Sequence, residues 1–415
     1  MEISKRFVKR LKGLRDSRIG ALLRRIDDAL YERIGPLRIL FVLSTPNGFY
    51  SALPVIEALK QEPAVQIGLL MTVGGRMPPT AEFNAVWKKY GVSRVWASLS
   101  KWHYVIYPHL CDKWFLRDST HTFLNHGTGF GIETDSIKRA ASPQFRLYFG
   151  FSEAELSYLR NAAPPLFADG SRLFFPVGFP KGDALIQGRF SREQTLSNLG
   201  LPTNRKTILI SSHWCPQSLL GAWGAEVAHR LLREASEYNV IQIAHEGFWI
   251  RIHAEDSPTQ SLALEELESL QRRHPHFRVL QDENEMPYLN AADLLMADHS
   301  SILIEFTLLD RPILFFDNPQ FSFFDPQVHQ MYREGADSFT DLEGLAEKCR
   351  HALGHPERHR IGRLRLKKAF LPYAGEAAQR VVRVLLTLGR MCGPQSARWA
   401  KAVELSRCLQ GRDWV

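Results

Sequence analysis

Four short segments hold the residues with chemistry to offer, and each follows an apolar run. They are Asn125-His126-Gly127-Thr128-Gly129, Gly178-Phe179-Pro180-Lys181-Gly182-Asp183, Ala244-His245-Glu246-Gly247, and Asp298-His299-Ser300-Ser301 with Glu305 beyond it. Histidine has a near-neutral pKa suited to moving protons, and adjacent glycines allow close backbone approach. Taken alone, His126 and His245 each fit a general base, an anion ligand or a structural histidine. The segment at 178–183 is equally well explained as a turn. The fourth is the most specific, because a buried strand ends at Asp298, two serines follow and an apolar helix begins. Free backbone N–H groups at a helix start, with serine hydroxyls added, make an anion site. A plain N-cap would use the same serines without any ligand. Glu305, about one turn further on, could accept hydrogen bonds from ribose hydroxyls.

Other chemistries are disfavoured. Gly127, Gly129 and Gly131 are spaced Gly-x-Gly-x-Gly, which is not a dinucleotide fingerprint, and there is no Walker loop, Gly-x-Ser-x-Gly elbow or His-Glu-x-x-His. His351, His355 and His359 would align on a helix, but Gly354 and Pro356 interrupt it, so they read as a solvated basic surface. The 5 cysteines are dispersed with no Cys-x-x-Cys pair, which suits reduced thiols and offers neither a disulfide framework nor a zinc cage.

The elements that must position these residues follow from the apolar pattern. RILFVLST (38–45), VQIGLLMTV (65–73), RVWASL, HYVIYP, THTFLNHG, FRLYFGFS and RLFFPVGFP read as a series of buried strands, with a helix from Ala52 to Gln61. Apolar strands alternating with helices predict a parallel sheet covered on both faces. A polar stretch, 184–206, broken by Gly188, Gly200 and Pro202, suits a helix and linker. A second series follows in TILISSHW, YNVIQIAHE, FRVLQ, ADLLMADHS and RPILFFD, interleaved with the helical patterns GAEVAHRLLREASE and LALEELESLQRR and closed by EAAQRVVRVLLTLGR. The expectation is an α/β protein of two Rossmann-like, doubly wound domains facing a central cleft, where ligands sit. Expected boundaries are 1–36 for a basic amphipathic segment, 37–190 and 191–375 for the two domains, and 376–415 for a C-terminal helix and tail packing back toward the first domain.

With 415 residues, 45% hydrophobic and 23% charged, the chain is too apolar to be disordered and long enough for two domains. No stretch of about 20 uncharged apolar residues predicts a membrane-spanning helix, and the N-terminus lacks a secretory apolar core, so a cytoplasmic protein is expected. The net charge of +8 is uneven: nine of the first 25 residues are Lys or Arg and two are acidic. Ile3, Phe7, Val8, Leu11, Leu14, Ile19, Leu22 and Leu23 recur among them at roughly helical spacing. Such a helix suits an anionic membrane surface or packing on its own protein. Nucleic acid is disfavoured, since no binding motif accompanies the charge.

In order along the chain, these segments resemble the CDP-glycerol glycerophosphotransferase family, the teichoic-acid polymerases and primases and their capsule relatives. The resemblance spans roughly residues 38–388. It rests on His-Gly-Thr at 126–128, Gly-x-Pro-Lys-x-Asp at 178–183, the strand-end His245, ADLLMADHSSILIEFTLLDRPILFF, and Gly-Glu-Ala-Ala-x-Arg at 375–380. It implies a GT-B fold with the nucleotide held mainly by the C-terminal domain, and no bound metal or cofactor. The departures are Gly129-Phe130-Gly131 for the family's Pro-Leu-Lys, His299 for the Tyr of Asp-Tyr-Ser-Ser, His245-Glu246 for His-Pro, and SSHWCPQ (211–217) for Tyr-Ala-Pro-Thr-Trp.

Carried over to this chain, the resemblance makes His126 and His245 catalytic, His126 as general base on an acceptor hydroxyl. Asp298, His299, Ser300, Ser301, Glu305 and Arg380 would bind the donor nucleotide and phosphates. Gly127, Thr128, Gly178, Pro180, Lys181 and Asp183 would shape the acceptor side. The partners implied are CDP-glycerol or a related CDP-alditol and a lipid-linked or saccharide acceptor. The location implied is the inner face of the cell membrane, bound peripherally through the N-terminal helix. Glycerol against ribitol, single addition against polymerisation, and a homo-oligomer stay open. Two other functions fit the residues: a GT-B glycosyltransferase using a nucleotide sugar, and a non-catalytic membrane-associated assembly factor on the same fold.

Overall fold

A computed structural model describes residues 17–72, 80–109, 119–127, 129–132, 137–138, 141–244, 258–280, 284–391 and 398–410. The chain divides into two compact units: Met1–His126 with Ile137–Pro180 and Glu376–Val415, and Gly127–Ser136 with Lys181–Gly375.

The first unit runs α1 (Arg18–Arg33), β1 (Leu37–Leu43), α2 (Pro46–Leu59), β2 (Val65–Met71), α3 (Ala81–Tyr90), α4 (Arg94–Leu99), β3 (Tyr104–Tyr107), β4 (Thr120–Leu124), β5 (Leu147–Gly150), α5 (Glu153–Ala162) and β6 (Leu173–Pro176). Its strands pair in parallel in the order β2-β1-β3-β4-β5-β6. Every residue of β1 is buried, as expected when helices cover both faces of a parallel sheet. Ile39, Phe41, Ile106, Phe149 and Phe175 form one continuous core with Val55 and Ile56 of α2. Two C-terminal helices, α16 (Ala377–Leu388) and α17 (Trp399–Leu409), belong to this unit, and Val381, Leu385 and Ala402 enter the same core.

The second unit runs α6 (Pro180–Ile186, divided from the first unit after Pro180), α7 (Arg192–Asn198), β7 (Thr207–Ser212), α8 (Leu219–Trp223), α9 (Glu226–Glu234), β8 (Asn239–Ala244), α10 (Pro258–Arg273), β9 (Phe277–Leu280), α11 (Met286–Ala291), β10 (Leu294–Ala297), α12 (Ile302–Phe306), β11 (Ile313–Phe316), α13 (Pro326–Gly335), β12 (Asp337–Phe339), α14 (Leu345–Gly354) and α15 (Arg360–Phe370). Its sheet is again all parallel, in the order β12-β11-β10-β7-β8-β9. Ile208, Met296 and Leu314 of the sheet pack with Leu231 of α9 and Leu345 of α14. Two doubly wound parallel sheets are therefore present, as the alternating pattern predicts.

One expected strand is a helix. RVWASL forms α4 because Ser93 caps it, accepting the Trp96 N–H at 3.2 Å, and only Ala97 of the six residues is fully buried. The helix predicted from Ala52 begins earlier, at Pro46, where Thr45 accepts the Gly48 N–H. The short edge strand β12 was not predicted.

In each sheet the chain reverses direction once, between β1 and β3 in the first and between β7 and β10 in the second. Crevices outside the carboxyl ends of strands at such a switch point are where open α/β sheets bind ligands.

Candidate active site

The loops after β7 and β10 lie side by side at the second switch point, and Asp298 ties them together. Its buried carboxylate accepts the Ser212 hydroxyl at 2.9 Å, the His213 N–H at 2.9 Å, the Leu219 N–H at 2.8 Å and the Ser300 N–H at 3.0 Å. A carboxylate so engaged fixes backbone rather than facing a ligand. The next residue, His299, is buried, stacks on Phe321 with ring centroids 3.5 Å apart, and lies 3.3 Å from Cys215 Sγ through Nε2. Burial pushes its pKa below the usual value, against a smaller opposing pull from Asp298, which favours a neutral ring.

Ser301 stands at the N-cap of α12, but neither serine's side chain makes a capping hydrogen bond. Ser301 donates its hydroxyl to Glu305 Oε1 at 3.2 Å, while Ser300 Oγ is buried and makes no protein hydrogen bond among the described residues. A buried hydroxyl with no protein partner is an invitation to a polar ligand. The helix after the serines, α12, has 5 residues and continues as a turn of 3-10 helix, Thr307–Leu309. Any anion affinity here therefore rests more on the Ser300 hydroxyl than on an extended helix dipole.

Glu305 belongs to a buried carboxyl pair. Lys181 donates to Glu285 Oε2 at 2.5 Å, and Glu285 in turn meets Glu305. Burial, then repulsion from Glu285, raises Glu305 well above the carboxylate range, so it holds a proton. Burial alone would raise Glu285 too, but the Lys181 ammonium and the hydrogen bond from Glu305 hold it below its ordinary value. Lys181 is thus committed to an internal ion pair. Asp183, also buried, accepts the Gly375 N–H at 2.9 Å. Gly178 adopts φ +96°, a conformation natural to glycine, and Pro180 opens α6. The 178–183 motif therefore builds a turn and two internal ties.

In the first unit, His126 follows β4, half-buried, with its ring stacked on His109 at a centroid distance of 3.7 Å. Gly48, at the start of α2, lies so close that a Cβ there would meet His109 Cδ2 at 2.7 Å. The strand end is braced by Asn125, which donates to Glu155 Oε1 at 2.9 Å, while Glu155 also accepts the Phe151 N–H at 2.7 Å. Arg380 of α16 is buried and donates to Pro176 O at 3.2 Å, at the end of β6. Gly127 is half-buried. Thr128 and His245 lie outside the described residues. Sequence reasoning missed His109, Glu155, Glu285 and Cys215. For His109 the signal was available, since it too follows an apolar run, HYVIYP.

A shallow concavity of about 530 Å³ lies between α13 and α15, with Arg333, Glu334, Arg360 and Arg365 on its wall, and it contains none of the predicted site residues.

A family model described as CDP-Glycerol:Poly(glycerophosphate) glycerophosphotransferase matches residues 156–387, more than half of the chain. The chain belongs to this glycerophosphotransferase family. The matched segment includes the motifs at 178–183, 298–305 and 375–380 but not His126. It is the family that the order of motifs pointed to, and the protein is accordingly a transferase of the glycerophosphotransferase type. No curated protein sequence matches the chain.

Among solved structures, the wall teichoic acid polymerase TagF is similar at 15% identity and a TM-score of 0.61, covering 98% of this chain and 99% of that one. A TagF variant soaked with CDPG is similar at 15% identity and a TM-score of 0.60, with 97% of each chain covered. The UDP-GlcNAc 2-epimerase from Neisseria meningitidis bound to UDP-GlcNAc is more distant, at 12% identity and a TM-score of 0.55, covering 84% of this chain and 100% of that one. These likenesses show the fold, which is GT-B.

Proposed function

We propose that this glycerophosphotransferase moves a glycerol-phosphate unit, or a related polyol-phosphate, from a CDP-activated donor to a hydroxyl of a lipid-linked or saccharide acceptor in cell-surface polymer biosynthesis. The observation that carries this is the family match across 156–387, which takes in the whole second sheet and its switch-point motif. In this reaction the acceptor oxygen attacks the β-phosphorus of CDP-glycerol, the bond from that phosphorus to the bridging oxygen breaks, and CMP leaves with that oxygen. A phosphodiester is formed and the hydroxyl proton passes to a base.

His126 takes the role of base, because it is a half-buried imidazole at a strand's carboxyl end, held by the His109 stack and the Asn125–Glu155 brace. Phosphoryl transfer rewards positioning and electrostatic stabilisation over covalent chemistry. The buried Ser300 hydroxyl is the group best suited to a donor phosphate oxygen, with His245 and Arg380 as further candidates. Glu305, being protonated and tied to Ser301 and Glu285, would serve a ribose as part of that network rather than as a free carboxylate.

The second part of the proposal is peripheral attachment to the inner face of the membrane through α1. Its polar side is docked: Asp27 pairs with Arg38 at 3.0 Å, and Arg38 lies over the Tyr31 ring. Ile19, Leu22, Leu23, Ile26 and Leu30 are left exposed as one stripe, beside exposed Arg18 and Arg25. That arrangement suits an anionic lipid interface. Among the described residues no helix is long and apolar enough to cross a membrane.

The direct test incubates the purified protein with CDP-glycerol, CDP-ribitol, UDP-sugars and GDP-sugars, and follows thermal stability and CMP release in the presence of lipid-linked acceptor extract. Stabilisation by CDP-alditols with CMP formation supports the proposal. Stabilisation by UDP or GDP compounds alone would replace it with sugar transfer.

A further inference from the structure

His213, Cys215 and His299 bring one ligand atom each to within 4.8 Å of one another. The first two stand on the loop after β7, the third on the loop after β10, and the two strands are hydrogen-bonded neighbours. Cys215 Sγ is 3.3 Å from His299 Nε2. In a tetrahedral zinc site with Zn–S of ~2.3 Å and Zn–N of ~2.0 Å, that edge would be about 3.5 Å. That edge already has nearly the length a bound ion would give it, and the other two lie within 4.8 Å.

We propose that these three side chains form a binding site for a borderline divalent metal, Zn²⁺ above all. Imidazole and thiolate together select such ions over Mg²⁺ or Ca²⁺, which require oxygen ligands. Three protein ligands leave a fourth position for water or an anionic oxygen. His213 and Cys215 are half-buried and His299 is buried, so an ion has both an entry path and a sheltered seat.

The supports of the ligands are already in place. Asp298 accepts the His213 N–H, Phe321 stacks on His299 at an interplanar angle of 9°, and Asn318 donates to Gln217 O at 2.8 Å, closing the far end of the 213–217 loop. These contacts fix the two loop backbones and the plane of the His299 ring. His299 and the His-Trp-Cys run are also two of the places where this chain departs from its family's motif. The proposal is thus specific to this chain and does not depend on the transfer reaction.

The test is spectroscopic and needs no nucleotide. The full chain, free of any affinity tag and stripped with chelator, is titrated with Co²⁺ and then with Zn²⁺. One equivalent of Co²⁺ should bind with a thiolate-to-cobalt charge-transfer band and intense tetrahedral visible bands, all displaced by Zn²⁺. Cys215→Ser should abolish the charge-transfer band. His213→Ala should weaken Co²⁺ binding by about 100-fold or more, the upper end of what loss of an outer partner alone costs. Cys408→Ser, which alters an exposed thiol, should change nothing. Absence of the band from the folded wild-type protein, its survival in Cys215→Ser, or undiminished binding by His213→Ala would each overturn the proposal. In those cases the 3.3 Å contact is a thiol–imidazole hydrogen bond.

Discussion

The Asp298 carboxylate, at the end of β10, accepts the backbone N–H of His213, at the end of β7, at 2.9 Å. With Ser212, Leu219 and Ser300 also donating to it, this one side chain sets the spacing of the two loops on either side of the switch point. Asp298→Ala would leave buried donors unpaired, and the expected loss is about 3 kcal/mol or more in urea unfolding. Asp298→Asn should recover only part, because an amide presents a donor where the carboxylate presents an acceptor. Full stability with lost donor binding would instead make Asp298 a direct ligand.

The Lys181–Glu285–Glu305 cluster gives a prediction with a definite pH sign. Glu305 has a raised folded pKa, so the folded state keeps a proton that the unfolded chain gives up above its ordinary value of 4.5. The stabilisation it gives is full below that value and is lost as pH rises through the folded pKa. Gln at 305 mimics the protonated acid, so Glu305→Gln should gain stability relative to wild type as pH rises. Comparing urea midpoints at about pH 5 and about pH 8 checks this. Lys181→Met, which strands the buried Glu285, should cost ~3–5 kcal/mol.

Much of this site was visible in the linear pattern, and the reason is geometric. In a parallel sheet every strand's carboxyl end points the same way, so a chemical residue closing an apolar run is automatically at the ligand-binding rim. That logic alone places His126 and the Asp298–Ser301 run at the carboxyl ends of β4 and β10. Strand order was not visible, because nothing local specifies that β10 pairs with β7 rather than with β9. The meeting of Cys215 with His299, and of Lys181 with Glu285, depends on such long-range placement and was missed. RVWASL shows the opposite effect: its short apolar run looks like a strand, and only the Ser93 cap marks it as a helix. The roles of Lys181 and Asp183 were also hidden, since a motif does not reveal whether its charges face a ligand or a neighbour.

His126→Ala should lower CMP-releasing transfer by about 10²–10⁴-fold, the range for loss of general acid–base catalysis, with folding unchanged. Donor binding measured by thermal shift should persist, because Ser300, the group proposed to hold the donor phosphate, lies in the second unit. An equal loss of donor binding would argue that His126 holds the nucleotide instead.

His103 predicts how the N-terminal helix responds to acid. Its Nδ1 accepts the Arg38 N–H at 3.0 Å, so Nε2 carries the proton and donates to Tyr31 O of α1 at 3.1 Å. Burial, only partly opposed by that second bond, pushes its pKa down from 6.5 to about 4. The unfolded chain therefore takes up the proton first as pH falls. The stability it contributes is full above about 6.5 and disappears progressively toward about 4. Thermal unfolding across that window should show a loss that His103→Gln, which offers the same acceptor and donor without titrating, largely removes.

The proposed membrane attachment through α1 can be tested separately from folding, because the helix is held by one side and exposes the other. Asp27 pairs with Arg38, and Lys101, which donates its backbone N–H to Asp27, also pairs with Asp28 at 3.7 Å. The apolar stripe takes no part in that docking. Each large apolar side chain moved from water into lipid contributes ~1.5–3 kcal/mol. Replacing Leu22 and Ile26 together by Glu should therefore reduce binding to phosphatidylglycerol vesicles by about two orders of magnitude or more, since every ~1.4 kcal/mol is tenfold. Acidic residues on that face also repel the anionic surface. The melting temperature and transfer to a soluble acceptor analogue should not change. If instead the double variant melts early, the stripe packs against protein, and the helix is a structural element rather than an anchor.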